Sequence, residues 1–224
     1  MADRSCVKTA REIAMLKRAA RIAKDIYREI EGMVVPGITE RQVSAGIDGL
    51  IKDKGLGRAF RTIVASGPNA AKPHAAVTDR RIGKRDLVVI DFGVVFRGYR
   101  SDMTRTKVIG RVAGRARRLY DSVRKAQEYG ITLIRSGAKI SDVVSGVHGR
   151  LRKDGLGRYI KHSLGHGIGK KIHEAPRLSE SNRKAFMRNS VVTVEPGLYV
   201  DGYAGVRIED MVIVKDNGCE VLTR

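Results

Sequence analysis

The chain matches itself at an offset of 100 residues, and this duplication limits its fold more than any other feature. Gly55-Leu56-Gly57-Arg58 returns as Gly155-Leu156-Gly157-Arg158, and Gly37, Val43 and Gly46 return as Gly137, Val143 and Gly146. Each copy follows one plan: a basic amphipathic helix, a glycine turn, a second helix, Gly-Leu-Gly-Arg, then strands. Two copies of so long a period make no solenoid, which needs several short repeats. They predict two α/β halves related by a pseudo-twofold, roughly residues 10–109 and 114–214, with any site lying between them. No linker-like or low-complexity block interrupts the chain, so residues 1–224 are expected to form one domain.

Ile13, Leu16, Ala20, Ile22, Ala23 and Ile26 recur at helical spacing and predict a helix over 10–33. Pro36-Gly37 stops it, and Thr39 is placed to cap a second helix over 40–52. The second copy predicts a helix over 114–136 and another, capped by Ser141, ending at Lys153. Residues 87–95 and 99–109 read as a hairpin turning near Arg97-Gly98. Residues 191–200 and 206–214 read as another, with Asp201-Gly202 in its turn.

Four carboxylates fall on these strands. Asp91 interrupts the apolar run Val88-Val89-Ile90-Asp91-Phe92, and Asp102 lies on the partner strand. A turn centred on Phe96-Arg97 makes them direct cross-strand neighbours, and one centred on Arg97-Gly98 makes them diagonal. Glu195 and Glu209 repeat the arrangement on the second hairpin. Like charges converging on one hairpin destabilise it unless protons or cations intervene. Two such pairs on equivalent hairpins point to a shared cation. Oxygen ligands suit Mn or Mg, and imidazole brings in Zn, Fe or Co. Of five histidines, three (His162, His166 and His173) lie within twelve residues of a glycine-rich segment. The glycines beside His166 are expected to let the backbone approach an ion. His74 follows Pro73 in a loop of small residues, and His148 reads as a structural residue on a helix face.

Lys and Arg number 44 against 24 Asp and Glu, a net charge of +20. The basic residues are spread along the chain, and aromatics are not interleaved with them as on a stacking platform. The surplus reads as a solvated basic surface, with weak nucleic-acid or ribosome association as the other reading. No apolar stretch approaches the ~18 residues of a membrane span. The N-terminal Met1-Ala2-Asp3-Arg4-Ser5-Cys6 leads into no apolar leader core. Two cysteines, Cys6 and Cys219, make no framework and fit a reduced, cytoplasmic setting.

Five segments closely resemble the pita-bread metallopeptidases, which include methionine aminopeptidase, aminopeptidase P and prolidase. They are Ile90-Asp91-Phe92-Gly93, Ser101-Asp102-Met103-Thr104-Arg105-Thr106, His162 through Glu174, Val194-Glu195-Pro196-Gly197 and Arg207-Ile208-Glu209-Asp210. The resemblance runs from about Val7 to the C-terminus. It implies the α/β (α+β) pita-bread fold, in which antiparallel strands form a central curved sheet covered by helices. It also implies a site for two divalent ions, Mn first, with Co, Zn or Fe as alternatives. Asp91 would chelate one ion, His166 and Glu195 would hold the other, and Asp102 and Glu209 would bridge them. A bridging hydroxide would attack the peptide carbonyl, with Glu195 as general base.

His162, and the segment from Gly205 to Asp210, resemble the aminopeptidase P and prolidase branch. The expected activity is an Xaa-Pro aminopeptidase or Xaa-Pro dipeptidase, acting on peptides with proline after the cleaved bond. His74, His162 and His173 would surround the substrate and carry a proton to the proline nitrogen. Arg207 would support the cage or meet a substrate carboxylate. The alternatives are a methionine aminopeptidase-like enzyme, or an RNA- or ribosome-binding relative of the fold. That branch usually carries a preceding N-terminal domain, whereas this chain begins almost at the first helix, which leaves monomer and homodimer both open. Lys72 and Lys170 stand where the family commonly has apolar residues. They would either line the cleft, favouring acidic groups, or point outward.

Overall fold

Thr9 and Thr39 start the first two helices by one device. Each hydroxyl accepts from the backbone N–H three residues on, and that residue, Glu12 or Gln42, accepts the threonine N–H in return. The helices that follow are α1 (Ala10–Glu31) and α2 (Glu40–Asp53), with α3 (Gly114–Leu133) and α4 (Ile140–Lys153) in the second half. The structure, a computed structural model, describes residues 6–112 and 114–224; Met1–Ser5, part of the segment read above for a leader, lie outside them.

Two helix boundaries differ from expectation. Ser141 is not the cap of α4: the helix already includes Ile140, its cap position is Lys139, and no side chain caps it. The Ser141 hydroxyl turns to Asp142 instead, at 3.1 Å. Helix α3 stops short of 136 because tertiary partners claim the next amides. Ser136 N–H donates to Lys215 O and Gly137 N–H to Phe186 O, both at 2.9 Å. Residues 100 apart nonetheless share backbone geometry. Gly37 and Gly137 have φ of 95° and 83°, and Gly55 and Gly155 have 68° and 74°. After α2 and α4, Leu56 N–H donates to Ile51 O just as Leu156 N–H donates to Leu151 O.

The first-half strands are β1 (Gly57–Arg58), β2 (Ile63–Ser66), β3 (Leu87–Phe92), β4 (Val94–Phe96), β5 (Tyr99–Arg100) and β6 (Met103–Val108). The second half contributes β7 (Gly165–Gly167), β8 (Glu174–Leu178), β9 (Val191–Val194), β10 (Gly197–Val200), β11 (Ala204–Arg207), β12 (Asp210–Lys215) and β13 (Gly218–Val221). They pair in the orders β1-β4-β5, β2-β3-β6, β13-β12-β9-β7-β8 and β10-β11, antiparallel in each case. Alternation along β3 sends Ile90 and Phe92 into the core beneath α1 and α2, and Asp91 to the other face. Helices α3 and α4 cover Val192, Val194, Val206 and Val212 in the same way.

Each predicted hairpin is interrupted midway, and the register decides how its acids meet. Arg97 and Gly98 form a two-residue turn with φ of 48° and 84°, the left-handed pair that matches strand twist. Asp91 therefore pairs with Thr104 and stands diagonal to Asp102. In the second hairpin Val194 pairs with Asp210 and Gly197 with Arg207, a register that carries Glu195 opposite Glu209. The halves join directly: Glu209 N–H donates to Thr104 O at 3.1 Å, and the Thr106 hydroxyl donates to Arg207 O at 2.7 Å. Among the described residues no helix is long and apolar enough to cross a membrane.

A Cβ at Gly93 would stand 1.8 Å from Ser101 O, whereas one at Gly49, inside α2, meets nothing within 4 Å. Gly93→Ala should lose at least about 2 kcal/mol of stability, and Gly49→Ala should gain about 0.5–1 kcal/mol. Urea denaturation of the two variants beside the parent checks both signs.

Candidate metal centre

Strand β3 supplies Asp91, the break before β6 supplies Asp102, β7 supplies His166, and the breaks around β9 to β12 supply Glu195 and Glu209. The structure brings all five to the floor of one cavity of about 700 Å³ that both halves line. Asp91, Asp102 and Glu209 are 8%, 5% and 2% exposed, so their charges are almost out of reach of solvent. One ligand atom each from Asp102, His166 and Glu209 lie within 4.8 Å of one another.

Two of the carboxylates are held by one oxygen and open at the other. Arg207 Nη2 donates to Asp91 Oδ2 at 2.7 Å, leaving Asp91 Oδ1 buried without a partner. The Thr104 hydroxyl donates to Glu209 Oε2 at 2.8 Å, leaving Glu209 Oε1 in the same state. The Thr193 hydroxyl holds Glu195 Oε1 at 3.3 Å. Buried oxygens without donors are costly unless a cation or proton meets them. Burial, then the neighbouring acid, pushes the Glu209 carboxyl up to about 8, with Asp91 the largest charge acting on it. Burial and then Glu209 raise Asp102 and Glu195 well above the ordinary carboxylate range.

His166 completes the set through its tautomer. Its Nδ1 lies 3.0 Å from Gly167 O, which can only accept, so Nδ1 carries the proton. Its Nε2 lone pair then faces Glu195 Oε1 at 3.4 Å and Asp102 Oδ2 at 3.6 Å. Burial lowers the imidazole to about 4, so it is neutral at physiological pH. A lone pair aimed at carboxylates is repulsive by itself and favourable around a cation, so the donor set fits divalent metal. The neighbouring glycines serve strand approach rather than the ion. A Cβ at Gly165 or Gly167 would lie 2.1 Å from Thr193 O or Ala175 O.

The remaining predicted residues divide. His74, His162 and His173 all line the cavity. His74 and His173 are exposed, and neither imidazole has a hydrogen-bond partner among the described residues; His173 packs edge-on against His166 at 4.4 Å. His162 is committed. Its Nδ1 donates to Ser163 O at 2.8 Å, so its Nε2 accepts the Tyr199 hydroxyl at 2.7 Å. Tyr199 Oη in turn accepts from Arg207 Nη1 at 2.7 Å, and burial holds His162 down at about 4. Arg207 is 4% exposed, and besides Asp91 and Tyr199 it binds Pro73 O at 3.0 Å and the Thr104 hydroxyl at 3.2 Å. Of its two expected roles, these contacts favour supporting the carboxylates over meeting a substrate. Lys72 and Lys170 are exposed and do not line the cavity; Lys170 Nζ sits 5.7 Å from the Tyr99 ring centroid. His148 is buried on α4 beside Glu180, as a structural histidine would be.

Sequence reasoning passed over Tyr199, Phe60, Arg61 and Arg177. Tyr199 read as one more apolar strand residue, although its register partner Gly205, two residues from Arg207, brings it to that side chain. The segment from Phe60 to Ile63 carries no motif and reaches the cavity only because Ile63 pairs with Asp91.

Two ionisation effects oppose each other in the metal-free protein. The raised carboxyls bind protons better when folded, so they lose stabilisation as pH rises toward their raised folded values, about 8 for Glu209. The depressed histidines act only below about 6.5, where the unfolded chain binds protons better. Chelator-treated protein should therefore lose stability as pH rises from about 6.5 to about 8, by up to about 1.4 kcal/mol per pH unit for each proton released. Divalent cation should flatten that slope, and so should Glu209→Gln, as read from urea midpoints.

The family model described as metallopeptidase family M24 matches residues 14–216. The chain is 39% identical, over 99% of its length, to the Xaa-Pro dipeptidase of Pyrococcus furiosus, and it spans 64% of that relative's length. Its backbone matches the prolidase from Pyrococcus furiosus with a TM-score of 0.95, at 38% identity over 98% of this chain and 65% of that one. It matches the X-Pro aminopeptidase from Thermotoga maritima with a TM-score of 0.94, at 36% identity over 98% and 62%.

Proposed function

This chain belongs to metallopeptidase family M24, and we propose that it is a metal-dependent peptidase cleaving the bond before proline, as an Xaa-Pro dipeptidase or Xaa-Pro aminopeptidase. One observation carries the reading: four carboxylates and an unprotonated His166 Nε2 converge in a cavity, with two buried oxygens left unpartnered. The names of the similar proteins, an Xaa-Pro dipeptidase and an X-Pro aminopeptidase, support the proline preference.

In this reading Asp91, Asp102, His166, Glu195 and Glu209 hold two divalent cations. Manganese is the first choice because four of the five donors are carboxylates. When bound, such cations supply Lewis acidity for the peptide carbonyl and make water acidic near neutral pH. The chain's own residues do the rest. Thr193 fixes one oxygen of Glu195, so the other is available to take a proton from the attacking water. The exposed imidazoles of His74 and His173 stand ready to hydrogen-bond substrate carbonyls and to hand a proton to the proline nitrogen, a poor leaving group until protonated. His162 acts differently: it can meet substrate through Nε2 only if Tyr199 releases it. Arg207 holds Asp91 and the Pro73 carbonyl beside His74, joining the metal side of the cavity to the substrate side.

The test is a panel of Xaa-Pro dipeptides, Xaa-Pro tripeptides and Met-Ala peptides on protein loaded with Mn, Co or Zn. Turnover should be confined to the Xaa-Pro compounds. Turnover of Met-Ala alone would instead assign a methionine aminopeptidase. Asp102→Asn should abolish hydrolysis with the fold retained. Arg207→Lys should lose about 10–100-fold in activity or metal affinity, because an ammonium cannot span Asp91, Tyr199 and Pro73 at once.

A further inference from the structure

His74 lines the cavity with an exposed imidazole that has no hydrogen-bond partner among the described residues, so only its loop places it. That loop is poorly equipped to hold itself. Between Ser66 and Thr78 its buried side chains are Ala70, Ala71 and Ala75, which offer little apolar area. Ala75 packs against Ala65, Ala70 and Val89, and Pro73 O accepts from Arg207 Nη1 at 3.0 Å.

Glu40, the first residue of α2 and wholly buried, supplies what the loop lacks. Its Oε1 accepts the Ser66 N–H at 2.7 Å and the Ser66 hydroxyl at 2.8 Å. Its Oε2 accepts Asn69 Nδ2 at 2.9 Å, the Thr78 N–H at 3.1 Å and the Thr78 hydroxyl at 2.6 Å. One carboxylate thus ties the chain where the loop leaves β2 and where it returns, with His74 between the ties. The first amides of α2 strengthen the second tie: Glu40 N–H donates to Arg80 O and Arg41 N–H to Thr78 O, both at 3.1 Å. All of the donors to this carboxylate are uncharged, and Glu40 has no ion pair among the described residues. Arg80 reaches it through the Ser66 hydroxyl, to which its Nη1 donates at 2.6 Å. A carboxylate buried without a bonded cation is costly, and the fold itself does not ask for one here. One hundred residues on, the first position of α4 is Ile140, an ordinary core residue.

We propose that Glu40 is a positioning residue for His74: by tying Ser66, Asn69 and Thr78 together it fixes the loop that presents this imidazole to the cavity. Its charge is what lets it serve both ends. An ionised carboxylate accepts at both oxygens, whereas glutamine has one acceptor oxygen and an amide that donates. In Glu40→Gln either the Ser66 or the Thr78 N–H therefore faces a donor and loses its acceptor. The consequence for turnover rests on the peptidase reading; the hold on the loop does not.

With five histidines in the chain, the imidazole NMR signal of His74 is identified as the one missing from His74→Ala. Metal-free protein is measured first. In Glu40→Gln, NMR relaxation should show a more mobile His74 ring, and the amides of residues 66–78 should exchange about tenfold faster, while the His148 signal stays as in the parent. Thr78→Val removes a single bond to Oε2 and should move both readouts the same way by less, which keeps the test open if Glu40→Gln does not fold. Ile47→Val trims a core residue of the same helix and should leave both unchanged. On manganese-loaded protein cleaving Ala-Pro, Glu40→Gln should lower kcat about tenfold with KM nearly unchanged. It should lower kcat no further in a His74→Ala background. Unchanged ring mobility and exchange, or equal changes in Ile47→Val, would overturn the proposal. So would a kcat equal to the parent's, or a loss that adds in full to that of His74→Ala, since Glu40 would then not act through His74. A parent that cleaves no Xaa-Pro peptide, with the loop loosened in Glu40→Gln as expected, would instead overturn the peptidase reading and leave Glu40 as the residue that places His74.

Discussion

Four carboxylates cannot all ionise in one buried cavity without positive charge between them, and most of the local architecture answers to that constraint. Among the described residues Arg207 is the one lining cation bonded to any of them, and it reaches only Asp91. Thr104 and Thr193 hold single oxygens of Glu209 and Glu195, and Glu209 Oε1 is left without a partner. Hydrogen bonding alone does not satisfy such an arrangement, since Asp91 Oδ1 and Glu209 Oε1 stay buried and unpartnered. It is stable either protonated or around cations.

The duplicated plan explains why the cluster can form, though not its symmetry. Offset by 100, α2 and α4 coincide in range, and the glycine stops beside them share backbone geometry. The acids do not share that offset: Glu195 follows Asp91 by 104 residues and Glu209 follows Asp102 by 107. The longer spacing converts a diagonal pair into a directly opposed one. Buried Asp210 braces this second pair, binding Arg105, Gln127, Thr223 and Arg224, while Arg105 also donates to Glu209 O. The C-terminal residues thereby help position a carboxylate of the floor.

Much of this was legible in the sequence, for physical reasons that differ by residue. The five floor residues could be read because charge inside an apolar strand is expensive and therefore informative. Thr39 was readable as a cap because its partner lies three residues away, whereas α4 starts at an uncapped Lys139 because Lys184 O and Asn182 O receive its first amides from across the fold. Contacts of that kind leave no local trace. The same holds for Tyr199, whose hydroxyl donates to His162 Nε2, and for Lys8, buried against Glu174. Arg61 and Arg177 looked like two more basic residues in a chain of net charge +20, and only the fold brings them to the lining of the cavity.

Metal stoichiometry tests the central claim most directly. Chelator-stripped protein is dialysed against manganese at neutral pH, and bound metal per chain is measured for the parent, Asp91→Asn and Glu209→Gln. The account predicts two ions per chain in the parent, fewer in each variant, and proton release on binding as the raised carboxyls ionise. A parent that binds no manganese, or binds it equally well in all three proteins without releasing protons, would contradict it.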